Sequence, residues 1–427
     1  MFSIQNQIIE ACNKLILNKI VDKINKSQCF SILADETTDV SNIEQLSLCV
    51  RYVNNNNMLN EDFIQFIAIH SLTGLDLATS ILKGLSDCGV NSEYIYGQGY
   101  DRASNMAGQF KSVQKIRDKY PNALYVHCSA HSLNLAVSSS SNIKPIRNSL
   151  NFISIEWKDS SSTDANMFLK CIQDSEFLVS LYVTKERIDL KKTVDIVENL
   201  IQSLMNIRED AQHEFKRIVD EAQTMAELIG TSISRKRITS KKTNRANPQN
   251  LKSTKDYYRV TVFLPYIDNF ISQLKDRFVN HKNVLRGFEC LFHSEFSNED
   301  RNEFQHLIEL YSPAIDRHNV LAELKMWKLK LASSSNEITK TGIEAFLNCD
   351  KDIKLLLKIF VTLPVSTATP ERSFSSLKRL KTHLRNTMNE TRLNGLSLLS
   401  VHRNIDLSAE EVIDELSKTS RKLDFVL

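Results

Sequence analysis

The residues best placed to do chemistry are carboxylates that follow apolar runs. Phe30-Ser31-Ile32-Leu33-Ala34 leads straight into Asp35 and Glu36, and Asp39 follows after Thr37 and Thr38. An apolar run of this length predicts a buried strand. The acids are then expected where the strand leaves the core, fixed at one end and open to substrate at the other. Carboxylate oxygens are the ligands that hard divalent cations take. The plain structural alternative is a strand ending in a polar turn, with Thr-Thr-Asp as turn chemistry. A second strand-like run, Tyr94 to Tyr100, ends likewise at Asp101. Cys128 and His131 stand at a metal-like spacing, but two ligands do not make a zinc site, so no zinc is expected. A buried cysteine beside a satisfied histidine is the alternative there. Arg235, Lys236, Arg237, Lys241, Lys242 and Arg245 crowd a polar stretch. It suits a phosphate-contacting patch, a nuclear-import signal or simply a solvated loop.

These residues need elements to position them. Ile8 to Ile24 repeats apolar residues at three and four, which predicts a helix. Cys29 to Asp35, Gln45 to Val53 and Asp62 to Ile69 read as strands, with a turn at Asn54 to Asn57. Two hairpin-like connections join them into an antiparallel meander. Asp76 to Leu85 predicts a helix, Tyr94 to Tyr100 a fourth strand, Ser104 to Lys119 a helix and Ala123 to Cys128 a fifth strand. The order β-β-β-α-β-α-β-α is that of an α/β, RNase H-like core. In that topology the ends of strands one and four lie side by side, which brings Asp35 and Asp101 together. From about Ser138 the pattern turns helical. Near the C-terminus Thr369 predicts an N-cap with Pro370 in the first helical position and Glu371 in the first turn. Phe374, Leu377, Leu380 and Leu384 make the buried face of that helix, and Leu393, Leu396, Leu399 and Val401 that of the next.

The totals bound the class. The chain has 427 residues, 42% apolar and 25% charged, as globular proteins do. A net charge of +3 does not by itself announce a nucleic-acid binder. No signal peptide or membrane-length apolar run is read, so no membrane partner is expected. The 8 cysteines are scattered and read as reduced intracellular thiols.

Four motifs in order, Ala34 to Asp39, Gly99 to Gly108, Cys128 to Leu135 and Thr369 to Ser375, resemble those of hAT-superfamily transposases. The resemblance covers nearly the whole chain. It implies an RNase H-like core carrying an Asp-Asp-Glu triad, a large helical insertion before the Glu, and a C-terminal dimerisation region. Transferred by position, the triad is Asp35, Asp101 and Glu371, with Glu36 and Asp39 as rivals of Asp35. Such a triad holds two Mg²⁺ or Mn²⁺ ions for DNA strand cleavage and transfer. The resemblance makes Cys128 and His131 a DNA-proximal motif. It makes Phe374, Leu377, Leu380, Leu393, Leu396 and Leu399 dimerisation residues.

The expected organisation is residues 1–140 for the N-terminal helix and first part of the core, and 141–345 for an all-α insertion. Residues 346–410 return to the core with the dimerisation region, and 411–427 form a tail. Two departures narrow the expectation. Residue 1 lies only one helix ahead of the first strand, leaving no zinc-finger domain. The Arg-Trp motif of the family's insertion has no counterpart, because Asn142 to Asn148 runs almost directly into Ile155-Glu156-Trp157. The expected product is a nuclear, self-associating protein that binds DNA, with catalysis lost or impaired. An active Mg²⁺-dependent transposase and a protein-interaction regulator without DNA binding are the rivals.

Overall fold

The computed structural model describes residues 2–71, 73–100, 116–129, 131–132, 189–228, 253–295, 297–311, 315–333, 341–349, 351–383 and 385–418. Helix α1 (Phe2–Ser27) leads into β1 (Phe30–Thr38), β2 (Glu44–Val53) and β3 (Leu59–Ile69), followed by α2 (Gly74–Asp87), β4 (Ile95–Tyr100) and β5 (Leu124–His127). The strands form one sheet in the order β3-β2-β1-β4-β5. β1, β2 and β3 pair antiparallel, and β4 and β5 continue the sheet in parallel. This is the mixed sheet of an RNase H-like core, as the strand order predicts. The hairpin turns need left-handed backbone, and asparagine tolerates it better than most residues. Asn42 (φ 58) and Asn57 (φ 57) supply it.

β1 runs three residues past Asp35, the end that the sequence predicts. Pairing with β2 continues from Asp35↔Ser47 to Thr38↔Glu44. Asp35 and Glu36 therefore sit on the strand, and the chain turns at Asp39. There Asp39 Oδ1 accepts from the amides of Ser41 (2.7 Å) and Ile43 (3.2 Å). On the other side, β1 pairs with β4 only as far as Leu33↔Gly99. Asp35 thus lies beyond the last position paired with β4.

The sheet buries both faces. Gly84 of α2 lies against Gln65, Ile67 and Leu48, so α2 covers one face. The other face carries Ser31, Leu33 and Asp35, since side chains alternate along a strand. It meets the segment after α9 (Lys351–Thr362), because a Cβ at Gly97 would touch Ser31 and Leu363, and one at Gly99 would touch Pro364 and Leu33.

Among the described residues, the remaining helices of seven residues or more are α3 (Leu190–Glu209), α4 (Ala211–Leu228), α5 (Leu264–Glu289), α6 (Asn298–Tyr311), α7 (Arg317–Ser333), α8 (Gly342–Asn348), then α10 (Ala368–Leu380), α11 (Glu390–Val401) and α12 (Ala409–Ser417). β3 would be an open edge, and α11 closes it. Asn394 donates to Phe66 O (2.9 Å) and accepts from Phe66 N (2.8 Å), as a neighbouring strand would.

The chain divides into two compact units. One comprises Met1–His131, Val183–Thr193 and Asn280–Leu427, the other Ser132–Tyr182 and Val194–Val279. In the second, Val197, Leu274 and Phe278 form a small core, and Arg208 pairs with Asp268 at 2.6 Å on the surface. Pro265 explains the π-helical turn Arg259–Phe263 just before it: proline has no N–H to donate and crowds the preceding turn. Among the described residues no helix is long and apolar enough to cross a membrane.

Candidate functional site

Glu371 lies in α10, whose start differs from the sequence reading. The helix begins at Ala368, with Thr367 rather than Thr369 at the cap and no side-chain capping bond. Pro370 is the third helical residue. That costs nothing, because the first four amides of a helix have no intrahelical partner. The two threonine hydroxyls go elsewhere. Thr369 Oγ1 donates to Glu61 Oε2 and accepts from Arg372 Nη2 at 2.9 Å. The other oxygen of Glu61 pairs with Arg51 at 2.6 Å. Arg51, only 1% exposed, also donates twice to the carbonyl of Val361, at 3.3 and 3.1 Å. A buried arginine needs such a set of acceptors, and this set bolts β2 and β3 to the start of α10.

Thr367 joins the cysteine motif to the glutamate. Its amide lies 3.3 Å and its hydroxyl 3.2 Å from Cys128 Sγ. The same hydroxyl donates to Glu371 Oε1 at 3.0 Å. Burial pushes the Cys128 thiol up, against the bonds from Thr367 and His131 that pull it down. It therefore stays protonated. A hydroxyl has one proton, so the consistent arrangement is a relay, with Cys128 S–H donating to Thr367 Oγ1 and Thr367 O–H donating to Glu371. The amide of His131 also points at Cys128 Sγ, at 3.4 Å. The Cys128 amide bonds to Tyr100 O at 3.1 Å, and Ser129 N to Val365 O at 2.8 Å. The end of β4, the end of β5 and the start of α10 are thus tied together at one point.

Asp35 is half-buried on β1, and its Oδ1 accepts from the amide of Glu36 at 2.9 Å. Its cross-strand partner Ser47 shares its face and contacts Ser373 Oγ at 2.7 Å. Ser373 is one half-turn past Glu371, so Asp35 and α10 lie on the same side of the sheet. Asp101 lies outside the described residues, and so do Arg235, Lys236, Arg237, Lys241, Lys242 and Arg245. Among the described residues no three His, Cys, Asp or Glu side chains form a metal-holding group.

Asp39 is occupied otherwise. It is buried, ion-paired to Lys381 just beyond α10, and also accepts from Gln45 Nε2 at 3.0 Å. Sequence reading missed Arg51, Glu61, Thr367 and Lys381. Each acts through a partner far along the chain, and no local pattern announces it.

Five of the six apolar residues assigned to dimerisation pack within their own chain. Leu377 and Leu393 are each 2% exposed and belong to the sheet core. Phe374, Leu380 and Leu399 pack against that core, and Leu396 is half-buried.

Comparison with known proteins agrees with the fold. Residues 1–112 match the ZMYM1/FAM200 RNase-like domain. Residues 351–405 match the hAT family C-terminal dimerisation region. The human protein described as "52 kDa repressor of the inhibitor of the protein kinase" is 24% identical, over 97% of this chain and 67% of its own length. Its mouse counterpart is 22% identical with the same coverage. The human alignment runs 521 positions, longer than this chain, so the relative carries residues within it that this chain lacks. The chain is thus similar to these proteins along nearly its whole length, matching an RNase-like domain at residues 1–112 and a hAT C-terminal dimerisation region at residues 351–405.

Proposed function

We propose that the chain is a transposase-derived nuclear protein that self-associates through its C-terminal region and engages DNA, with strand cleavage and joining lost or impaired. The observation that carries this reading is the match to the dimerisation region in a chain that lacks residues its aligned relative has. DNA is the partner that a transposase-like ancestry supplies, and the basic stretch Arg235 to Arg245 suits its phosphates.

The ancestral chemistry is metal-dependent. Asp35 and Glu371 are hard oxygen donors on the same side of the sheet, and Asp101 stands as far past Gly99 in sequence as Asp35 stands past Leu33, the pair at which β1 and β4 last meet. That donor set fits Mg²⁺ or Mn²⁺. Such ions would supply activation of the attacking oxygen and stabilisation of the leaving one. The chain's own contribution is orientation: Thr367 holds Glu371, and Ser47 with Ser373 holds α10 against β2, beside the strand that bears Asp35.

Retention of acids at all three positions favours the second reading, an active transposase. Incubating the full chain with transposon-end DNA and Mg²⁺ or Mn²⁺ separates the readings. DNA retention without nicking is the expected result. Nicking that disappears in Asp35→Ala sinks the non-catalytic reading. Neither nicking nor retention leaves a regulator that acts through proteins alone.

A further inference from the structure

Helix α7 is apolar on more than one side. Val320, Leu324 and Trp327 are buried, and Trp327 Nε1 donates to Leu291 O at 2.8 Å. Yet Leu321 is 42% and Leu329 66% exposed. A helix with apolar residues all round is ordinarily covered on every side. Leu321 and Leu329 do not stand alone. They line a groove of about 820 Å³ between α6 and α7.

Two facing stripes build the groove. From α6 come Arg301, Phe304, Gln305 and Ile308, and from α7 come Arg317, Leu321, Leu324, Lys325, Lys328, Leu329 and Ala332. Both stripes repeat at three and four, the spacing of a helix ridge. At the rise of an α-helix the α7 stripe runs about 22 Å, four turns of a third helix laid between two ridges. Every charged residue of the lining is a cation: Arg301, Arg317, Lys325 and Lys328. The acid Glu323 of α7 lies off the lining and accepts from the amides of Asp352 and Ile353, at 2.8 and 3.2 Å. Lys328 partly serves the fold, since it donates to the carbonyl of Glu295 at 3.0 Å.

The geometry points to a docking groove for an acidic amphipathic helix of about four turns from a partner protein. The apolar floor takes the apolar face of that helix, and the cationic rim takes its carboxylates. Nucleic acid fits less well, because phosphates gain nothing from a floor of Phe304, Ile308, Leu321, Leu324, Leu329 and Ala332. This surface is independent of the acids on the sheet.

Fluorescence anisotropy on the full chain tests it. The probe is a fluorescein-labelled helical peptide with leucine at every third or fourth position and glutamate between. Micromolar binding that weakens with added salt is expected, with a loss of about tenfold or more in Leu329→Asp and in Lys325→Glu. Leu347→Asp, at an exposed site outside the groove, should bind as the parent does. Circular dichroism checks that each variant folds. The inference is overturned if the peptide does not bind, if it binds Leu329→Asp as tightly as the parent, or if a lysine-for-glutamate peptide binds equally well. It is likewise overturned if duplex DNA displaces the peptide and only Lys325→Glu weakens binding, which would assign the rim to phosphates.

Discussion

Two aspartates four residues apart in one motif meet different fates, and their partners decide which. Asp35 lies half-buried on the face that meets α10, while Asp39 is sealed in the turn after β1 with Lys381. Burial is the largest single influence on the Asp39 carboxyl and pushes it up. The ammonium of Lys381, the amides of Ser41 and Ile43 and the amide of Gln45 together outweigh burial and hold it below its ordinary value. A folded value below the unfolded one means that the stabilisation is whole above about pH 4 and drains away as pH falls through the folded value. Lys381→Met removes the ammonium and leaves burial opposed only by the Ser41, Ile43 and Gln45 donors, so the Asp39 value rises and the gap between parent and variant narrows on acidification. At pH 7 the substitution should cost roughly 3–5 kcal/mol, as an orphaned buried charge does. Urea unfolding of parent and variant at about pH 7 and about pH 4.5 checks this. A gap that stays constant between the two would show that Asp39 and Lys381 are not coupled.

At the scale of elements, most of the strand order was legible and most of the fastening was not. Alternating apolar residues in β2 and β3 and continuous ones in β1 set the period, and the period names a strand without its neighbours. The end of β1 was misread because Asp35-Glu36-Thr37-Thr38 is polar, while its pairing with Glu44 to Ser47 is a property of both strands. The start of α10 was misread because Thr367 and Thr369 are chemically alike as caps. Only the fold reveals that their hydroxyls are claimed by Cys128 and Glu61. Glycines on β4 mark another fastening. A Cβ on Gly99 would lie 2.4 Å from Pro364 Cβ, and a proline ring beside backbone cannot swing away. Gly99→Ala should therefore destabilise the core by roughly 1–3 kcal/mol, the cost of overpacking, although alanine would ordinarily gain from its stiffer unfolded chain. Pro364→Gly in the same chain should restore part of the loss, and a double-mutant cycle by thermal unfolding measures the coupling. Simple additivity of the two changes would refute the close approach as the cause.

For the whole molecule, the question is what the C-terminal region offers a second copy. The amphipathic pattern of α10 and α11 predicts a buried face and is silent about which surface buries it. In this fold the chain's own sheet and α1 do so: Leu377 and Leu393 belong to the sheet core, and a Cβ on Gly395 would lie 2.6 Å from Ile9 Cγ2. A contact between copies then falls to what these helices leave exposed, such as Glu371, Arg372, Ser375, Lys378 and Arg379 on α10. The two roles are separable in solution. Light scattering should give a dimer at micromolar concentration, and a monomer there would remove the self-association reading. Leu377→Ala should lower protomer stability by about 2–5 kcal/mol, the usual cost of emptying a core leucine site. Well below the unfolding transition it should leave the dimer dissociation constant within about twofold of the parent. Charge reversal at Lys378 and Arg379 together should do the opposite, with little change in unfolding temperature but a dissociation constant raised about tenfold or more if those cations meet the other copy. If Leu377→Ala instead dissociates a dimer of otherwise intact protomers, α10 must leave its own sheet to pair, and the dimer is a rearranged form of this fold rather than two copies of it.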